Sequence, residues 1–159
     1  MKKNFSGGCS CGSVRYTLLA DPMFTHCCHC HLCQQITGSA FITNTLIEGS
    51  NFSLNSGQLA PFEGPSGSGS RHIIKRCSKC GDPVVSYFGD TEHLALVKAG
   101  TLDNPNLVSP QAHIFVGTKL DWLELPEATP VLTGFYDFEK IWPVGAFARL
   151  QKIRALQSS

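Results

Sequence analysis

The cysteines constrain this chain more than any other feature. Cys9 and Cys11 form a C-x-C, Cys28, Cys30 and Cys33 a C-x-C-x-x-C, and Cys77 and Cys80 a C-x-x-C, with Cys27 beside the second group. Thiols two or three positions apart on a tight turn can both bite one ion, whereas a disulfide between them would be strained or would close a negligible loop. The choice lies among a metal, a disulfide framework, a redox couple and a crowded core.

The expected compartment narrows that choice. Met1-Lys2-Lys3 is followed by Asn4 to Ser13, rich in Gly, Ser and Cys where the apolar core of a signal peptide would lie, so no targeting segment is read. No stretch approaches the roughly 18 apolar residues of a membrane span. A cytoplasmic protein is expected, and there clustered thiols hold metal more often than they form disulfides. The net charge of +1 offers no basic excess for nucleic acid or an anionic membrane.

At 159 residues the chain suits one domain. Its pattern reads mainly as strand: 13–19, 40–48, 51–54, 71–76, 84–88, 94–98, 113–116 and 122–125 alternate or cluster apolar residues between turns rich in Gly, Pro, Asn and Asp. Such a series predicts an all-β sandwich or open barrel. The run Gly64 to Ser70 predicts a mobile surface loop. Leu32 to Thr37 predicts a short helix stopped by Gly38. Val144, Phe147, Leu150, Ile153 and Leu156 predict a docked C-terminal helix.

A structural zinc site closes on four protein ligands, and a catalytic one keeps three and leaves a position for water or substrate. Gly8 and Gly12 flank the first cysteine pair and Gly81 follows the last. Cys9, Cys11, Cys77 and Cys80 therefore suit two facing turns that together close a four-thiolate site, which leaves Cys28, Cys30 and Cys33 with an open position. Spacing alone equally allows the trio to share its ion with either pair.

The segments Gly8-Cys9-Ser10-Cys11-Gly12-Ser13-Val14, Cys28-His29-Cys30-His31-Leu32-Cys33 and Cys77-Ser78-Lys79-Cys80-Gly81 resemble, in order and separation, the signature of the glutathione-dependent formaldehyde-activating enzyme family. Pro110 to Phe115, with Lys119 and Trp122, resembles that family's C-terminal stretch. The resemblance covers about 5–127 as one zinc-binding domain, with 128–159 as a C-terminal extension whose short helix packs on it. It implies a β-tent fold, mainly β with antiparallel sheets and short helices. It also implies a structural zinc on Cys9, Cys11, Cys77 and Cys80, and a catalytic zinc on Cys28, Cys30 and Cys33. The implied activity is that of a carbon-sulfur lyase joining a glutathione-like thiol to formaldehyde or a related small aldehyde, or the reverse. Zinc there would lower the pKa of a coordinated substrate thiol and hold it as thiolate.

The remaining residues receive plainer expectations. Cys27 falls outside the motif and reads as a small buried hydrophobe. His29 and His31 read as outer hydrogen-bonding groups or solvated side chains, and His113, Phe115 and Phe41 as core. Glutathione carries two carboxylates, and the cations available to meet them, Arg71, Lys75, Arg76, Lys98 and Lys119, are scattered and read as solvated surface charges. Three rivals stand beside the enzyme: a non-enzymatic zinc module of the same fold, a dithiol redox protein, and an iron-sulfur protein. The redox reading lacks the βαβ pattern that normally accompanies it, and visible absorbance separates a cluster from zinc.

Overall fold

The computed structural model describes residues 4–157. Ten strands and three α-helices follow one another among them: β1 (Phe5–Gly8), β2 (Arg15–Leu18), β3 (Phe24–Cys28), α1 (His31–Thr37), β4 (Ile42–Glu48), β5 (Phe52–Ser56), β6 (Leu59–Glu63), β7 (His72–Cys77), β8 (Pro83–Phe88), β9 (Leu94–Lys98), β10 (Ala112–Ile114), α2 (Phe138–Ile141) and α3 (Val144–Gln157). The protein is mainly β, with two sheets and short helices, as expected.

One sheet has the order β1-β2-β5, and the other β10-β3-β4-β9-β8-β7-β6. All pairings are antiparallel except that of β10 with β3, where His113 lies opposite Cys27. Because side chains alternate across a strand, the large sheet carries two cores. On one face Ile47, Val97, Val85 and Tyr87 pack with Phe5, Tyr16 and Leu18 of the small sheet. On the other, Phe24, Leu46, Leu96 and Ile114 pack with Tyr136, Trp142, Leu150 and Ile153 from the C-terminal segment. Cys9 and Cys77 belong to the first core and Cys28 to the second.

Three strands escape the alternation rule. β3 is buried along its whole length, so its residues Phe-Thr-His-Cys-Cys show no period of two. β6 contains Pro61, which is tolerated because β6 is an edge strand. β1 ends in two glycines, and a side chain at Gly7 would run into the Thr101 carbonyl and the Tyr16 ring.

Two expectations need correction. Residues 122–125 form no strand, because the Lys119 ammonium donates to the carbonyls of Leu120 at 2.9 Å and Leu123 at 2.7 Å and folds the segment into a turn. The C-terminal helix docks through Ala146, Leu150 and Ile153, whereas Val144 and Leu156 are exposed. Near its middle, Arg149 pairs with Glu48 of β4 and also donates to the Asp21 carbonyl. Residues 64–70 do form a mostly exposed loop between β6 and β7, with Pro65 O against His72 Nδ1 at 2.9 Å.

Candidate metal centres

Two turns build the first cluster. Gly12 and Gly81 adopt left-handed backbone at φ 73° and 83°, which lets the chain double back immediately after Cys11 and Cys80. Their amides return to the turns, Gly12 N donating to Cys9 O at 3.0 Å and Gly81 N to Cys77 O at 2.9 Å. The Ser10 amide donates to Asp82 Oδ2 at 2.7 Å, bolting one turn to the other, and the Ser10 side chain together with that amide holds the Asp82 carboxyl below its usual range.

The sulfurs of Cys9, Cys11, Cys77 and Cys80 all lie within 4.8 Å of one another. Cys9 and Cys11 are 3.4 Å apart and Cys11 and Cys77 3.9 Å. Four sulfurs held tetrahedrally at zinc-thiolate bond lengths would stand about 3.8 Å apart, so the spacing suits such an ion and is far too long for a disulfide. Amides aim at the sulfurs as well, Val14 N at Cys9 Sγ at 3.2 Å and Lys79 N at Cys77 Sγ at 3.4 Å. Burial works to raise the Cys9 thiol, but the Val14 amide and the neighbouring thiols bring it down to about 6. Cys11 moves the other way. The Ser13 amide favours its thiolate, yet Cys9 and the other sulfurs push it to about 12.

The second cluster is built where β3 runs into α1. Cys28 ends the strand, Cys30 caps the helix with its sulfur accepting from Cys33 N at 3.4 Å, and Cys33 lies in the first turn. Their three sulfurs lie within 4.8 Å of one another, and among the described residues no fourth cysteine, histidine or carboxylate joins the group. The Cys33 thiol donates to Cys28 and, against burial, holds it at about 7; Cys33 itself is pushed up, first by that same contact. Burial raises Cys30. The turn is clamped through the His29 carbonyl, which accepts from Gln34 Nε2 at 2.9 Å and Thr118 Oγ1 at 3.0 Å, and through His29 N, which donates to Ile114 O at 3.0 Å. Phe115, just beyond β10, holds a left-handed φ of 54°, a strained backbone for an aromatic residue, at the start of the turn that delivers Thr118.

The other residues of the motif are placed elsewhere. His29 is fully buried; its Nε2 meets His113 Nδ1 at 2.9 Å, its ring packs on Phe41, and burial with the charges of His113 and Lys119 holds it down to about 4. Its Nδ1 has no partner among the described residues. His31 is exposed. Cys27 is buried on the opposite face of β3 from Cys28, 3.3 Å from Thr43 Oγ1, and burial raises its thiol. There it borders a cavity of about 590 Å³ with Phe41, Thr43, His113 and Leu123, which the trio does not line. Phe41 is therefore a partly exposed wall and not core, and Phe115 is likewise exposed.

Lys98 corrects the reading of the cations as surface charges. It is 7 % exposed, at the end of β9 on the face that carries Cys28, and its ammonium donates to Asn44 Oδ1 at 2.9 Å and Ser86 Oγ at 2.7 Å. An ammonium can only donate, so the Asn44 amide must turn its oxygen to Lys98 and its nitrogen to His26 Nε2, 3.3 Å away. His26 then carries its proton on Nδ1 and donates to Tyr136 OH at 2.9 Å. Burial, with Lys98 close by, drives His26 down to about 3. Lys98 shares a face of β9 with the buried Leu96, but Ala95 and Val97 on the other face are buried too, so strand parity alone does not mark it. By contrast Arg71 is exposed, Lys75 pairs with Glu92, and Arg76 donates to the Gly81 carbonyl.

Among the described residues, no helix is long and apolar enough to cross a membrane. A search of curated proteins finds no match. Among solved structures, a crystal structure of a Rhodobacter sphaeroides protein from a structural-genomics programme is 20% identical, with 66% of this chain and 96% of that one covered at a TM-score of 0.48. Residues 4–118 match the family model described as glutathione-dependent formaldehyde-activating enzyme. With most of its length under that match and both cysteine groups assembled, the chain belongs to the glutathione-dependent formaldehyde-activating enzyme family.

Proposed function

We propose that this chain is a cytoplasmic, zinc-dependent carbon-sulfur lyase that joins a glutathione-like thiol to formaldehyde or a related small aldehyde, and reverses the reaction. Residues 5–127 are proposed as its metal-bearing domain and 128–159 as an extension of it. Cys9, Cys11, Cys77 and Cys80 are assigned to a structural zinc, and Cys28, Cys30 and Cys33 to a catalytic one. The observation that carries this is the difference in closure, four sulfurs in one group and three in the other. All-sulfur donor sets favour zinc over harder ions.

Zinc bound by the trio would supply a site where a substrate thiol is held as thiolate at neutral pH. The chain's own part is placement. Cys28 fixes the site to the sheet, Cys30 and Cys33 to α1, and the clamp on the His29 carbonyl keeps the two in register. The substrate sulfur attacks the aldehyde carbon and forms the carbon-sulfur bond, the carbonyl π pair moves to oxygen, and that oxygen takes the proton the thiol gave up. The product is a hemithioacetal, an S-hydroxymethyl adduct when the aldehyde is formaldehyde, and no oxidant or reductant is needed.

Metal analysis by mass spectrometry should find two zinc ions per chain. Exchange NMR with ¹³C-formaldehyde and glutathione should show interconversion of the adduct faster than without protein, and Cys30→Ser should abolish the acceleration. Two zinc ions with no acceleration for glutathione or other small thiols would favour a non-enzymatic zinc module instead.

A further inference from the structure

A buried ammonium needs a counter-charge, and Lys98 has no carboxylate partner among the described residues. Its neighbours on the same face are Asn44, Ser86 and His26, all neutral, and the cationic Arg76 and the imidazole of His72 lie toward β7. Burial lowers the ammonium to about 8, and the groups that work against burial to keep it charged are Cys33 and Cys28. The strand register explains why. His26, Asn44 and Lys98 lie side by side across β3, β4 and β9, and Cys28 follows His26 on the same face. Two of the three ammonium protons are committed, to Asn44 Oδ1 and Ser86 Oγ, and the third has no acceptor among the described residues.

We propose that Lys98 is a positioning residue for the fourth ligand of the three-cysteine site, its fixed ammonium offsetting the negative charge that builds up when a thiolate joins the three already there. This rests on the reading of Cys28, Cys30 and Cys33 as an open metal site. Three thiolates around a dication leave one net negative charge, and a fourth thiolate makes two; a neutral fourth ligand adds none. Lys98 therefore selects for anionic sulfur over neutral nitrogen. Asn44 and Ser86 act through it by holding the ammonium in place.

The test loads the protein with cobalt(II) and titrates it with 2-mercaptoethanol and, separately, with imidazole, following the visible d–d and sulfur-to-cobalt charge-transfer bands. Wild type should bind both. Lys98→Met should weaken 2-mercaptoethanol binding about tenfold and leave imidazole binding within about twofold. Lys98→Gln, which keeps a donor toward Asn44 and Ser86, should give the same selective loss and carries the test where the methionine variant does not fold. Equal weakening of both probes, or no change for either, overturns the proposal while leaving the open site intact. A wild-type spectrum that responds to neither probe overturns the open site itself, and the role of Lys98 with it.

Discussion

The sulfurs of Cys11 and Cys77 stand 3.9 Å apart, although 66 positions separate them in the chain. An ion shared there ties the N-terminal turn to the middle of the protein, and its binding free energy becomes folding free energy. Cys77→Ser should therefore lose cooperative folding, read as loss of the thermal transition in circular dichroism. Cys30→Ser should lose about one zinc per chain and keep its transition. Equal melting of the two variants would contradict this division of labour.

Arg149 and Glu48 join α3 to β4, with Arg149 Nε on Glu48 Oε1 at 2.6 Å. Burial works to raise the Glu48 carboxyl, but the bonds from Arg149 and Asn51 outweigh it and hold the group below its ordinary value of 4.5. The folded state thus favours the carboxylate more than the unfolded chain does. The contribution is complete above the ordinary value and is lost as pH falls through the lower folded one. Arg149→Ala should cost about 1–3 kcal/mol at pH 7, and urea titrations should show the gap to wild type closing in acid.

Gly7 has no room for a side chain, since a Cβ there would meet the Thr101 carbonyl and the Tyr16 ring. Gly7→Ala should destabilise by about 1–3 kcal/mol, through displacement of Tyr16 and its 2.7 Å bond to Thr101 Oγ1. A shift in the denaturant midpoint measures it.

Phe24 stacks on Trp142 with centroids 5.1 Å apart and meets Tyr136 edge-on at 5.2 Å. Phe24→Ala should cost about 3–5 kcal/mol and release the C-terminal segment from the sheet. Trp142 fluorescence should shift to the red in that variant, and Trp122, already exposed, should contribute a constant background.

Local chemistry made much of this protein legible in its residues. The cysteine spacings and the glycines beside them marked the ligand turns, because a turn that brings two ligands to one ion is encoded within a few positions, and the family resemblance divided them into the two groups. Seven strands could be read for a similar reason, since each shows the alternation or apolar clustering of a half-buried ribbon. What depends on distant partners could not be read. β3 hides from the pattern because both its faces are covered, and Lys98 looked like surface because its burial is set by Asn44 and Ser86 on neighbouring strands. Of the predicted docking face of α3, Phe147, Leu150 and Ile153 pack on the core, and its two ends, Val144 and Leu156, are exposed.

The large sheet stands between the two cysteine groups, with Cys9 and Cys77 rooted in the core on one side and Cys28 in the core on the other. Under the proposed division of roles, substitutions around the trio should leave the four-sulfur group undisturbed. If the proposed roles hold, such an arrangement gives evolution a workshop and a foundation in separate rooms, where preference for one small molecule over another drifts while the architecture is inherited unchanged.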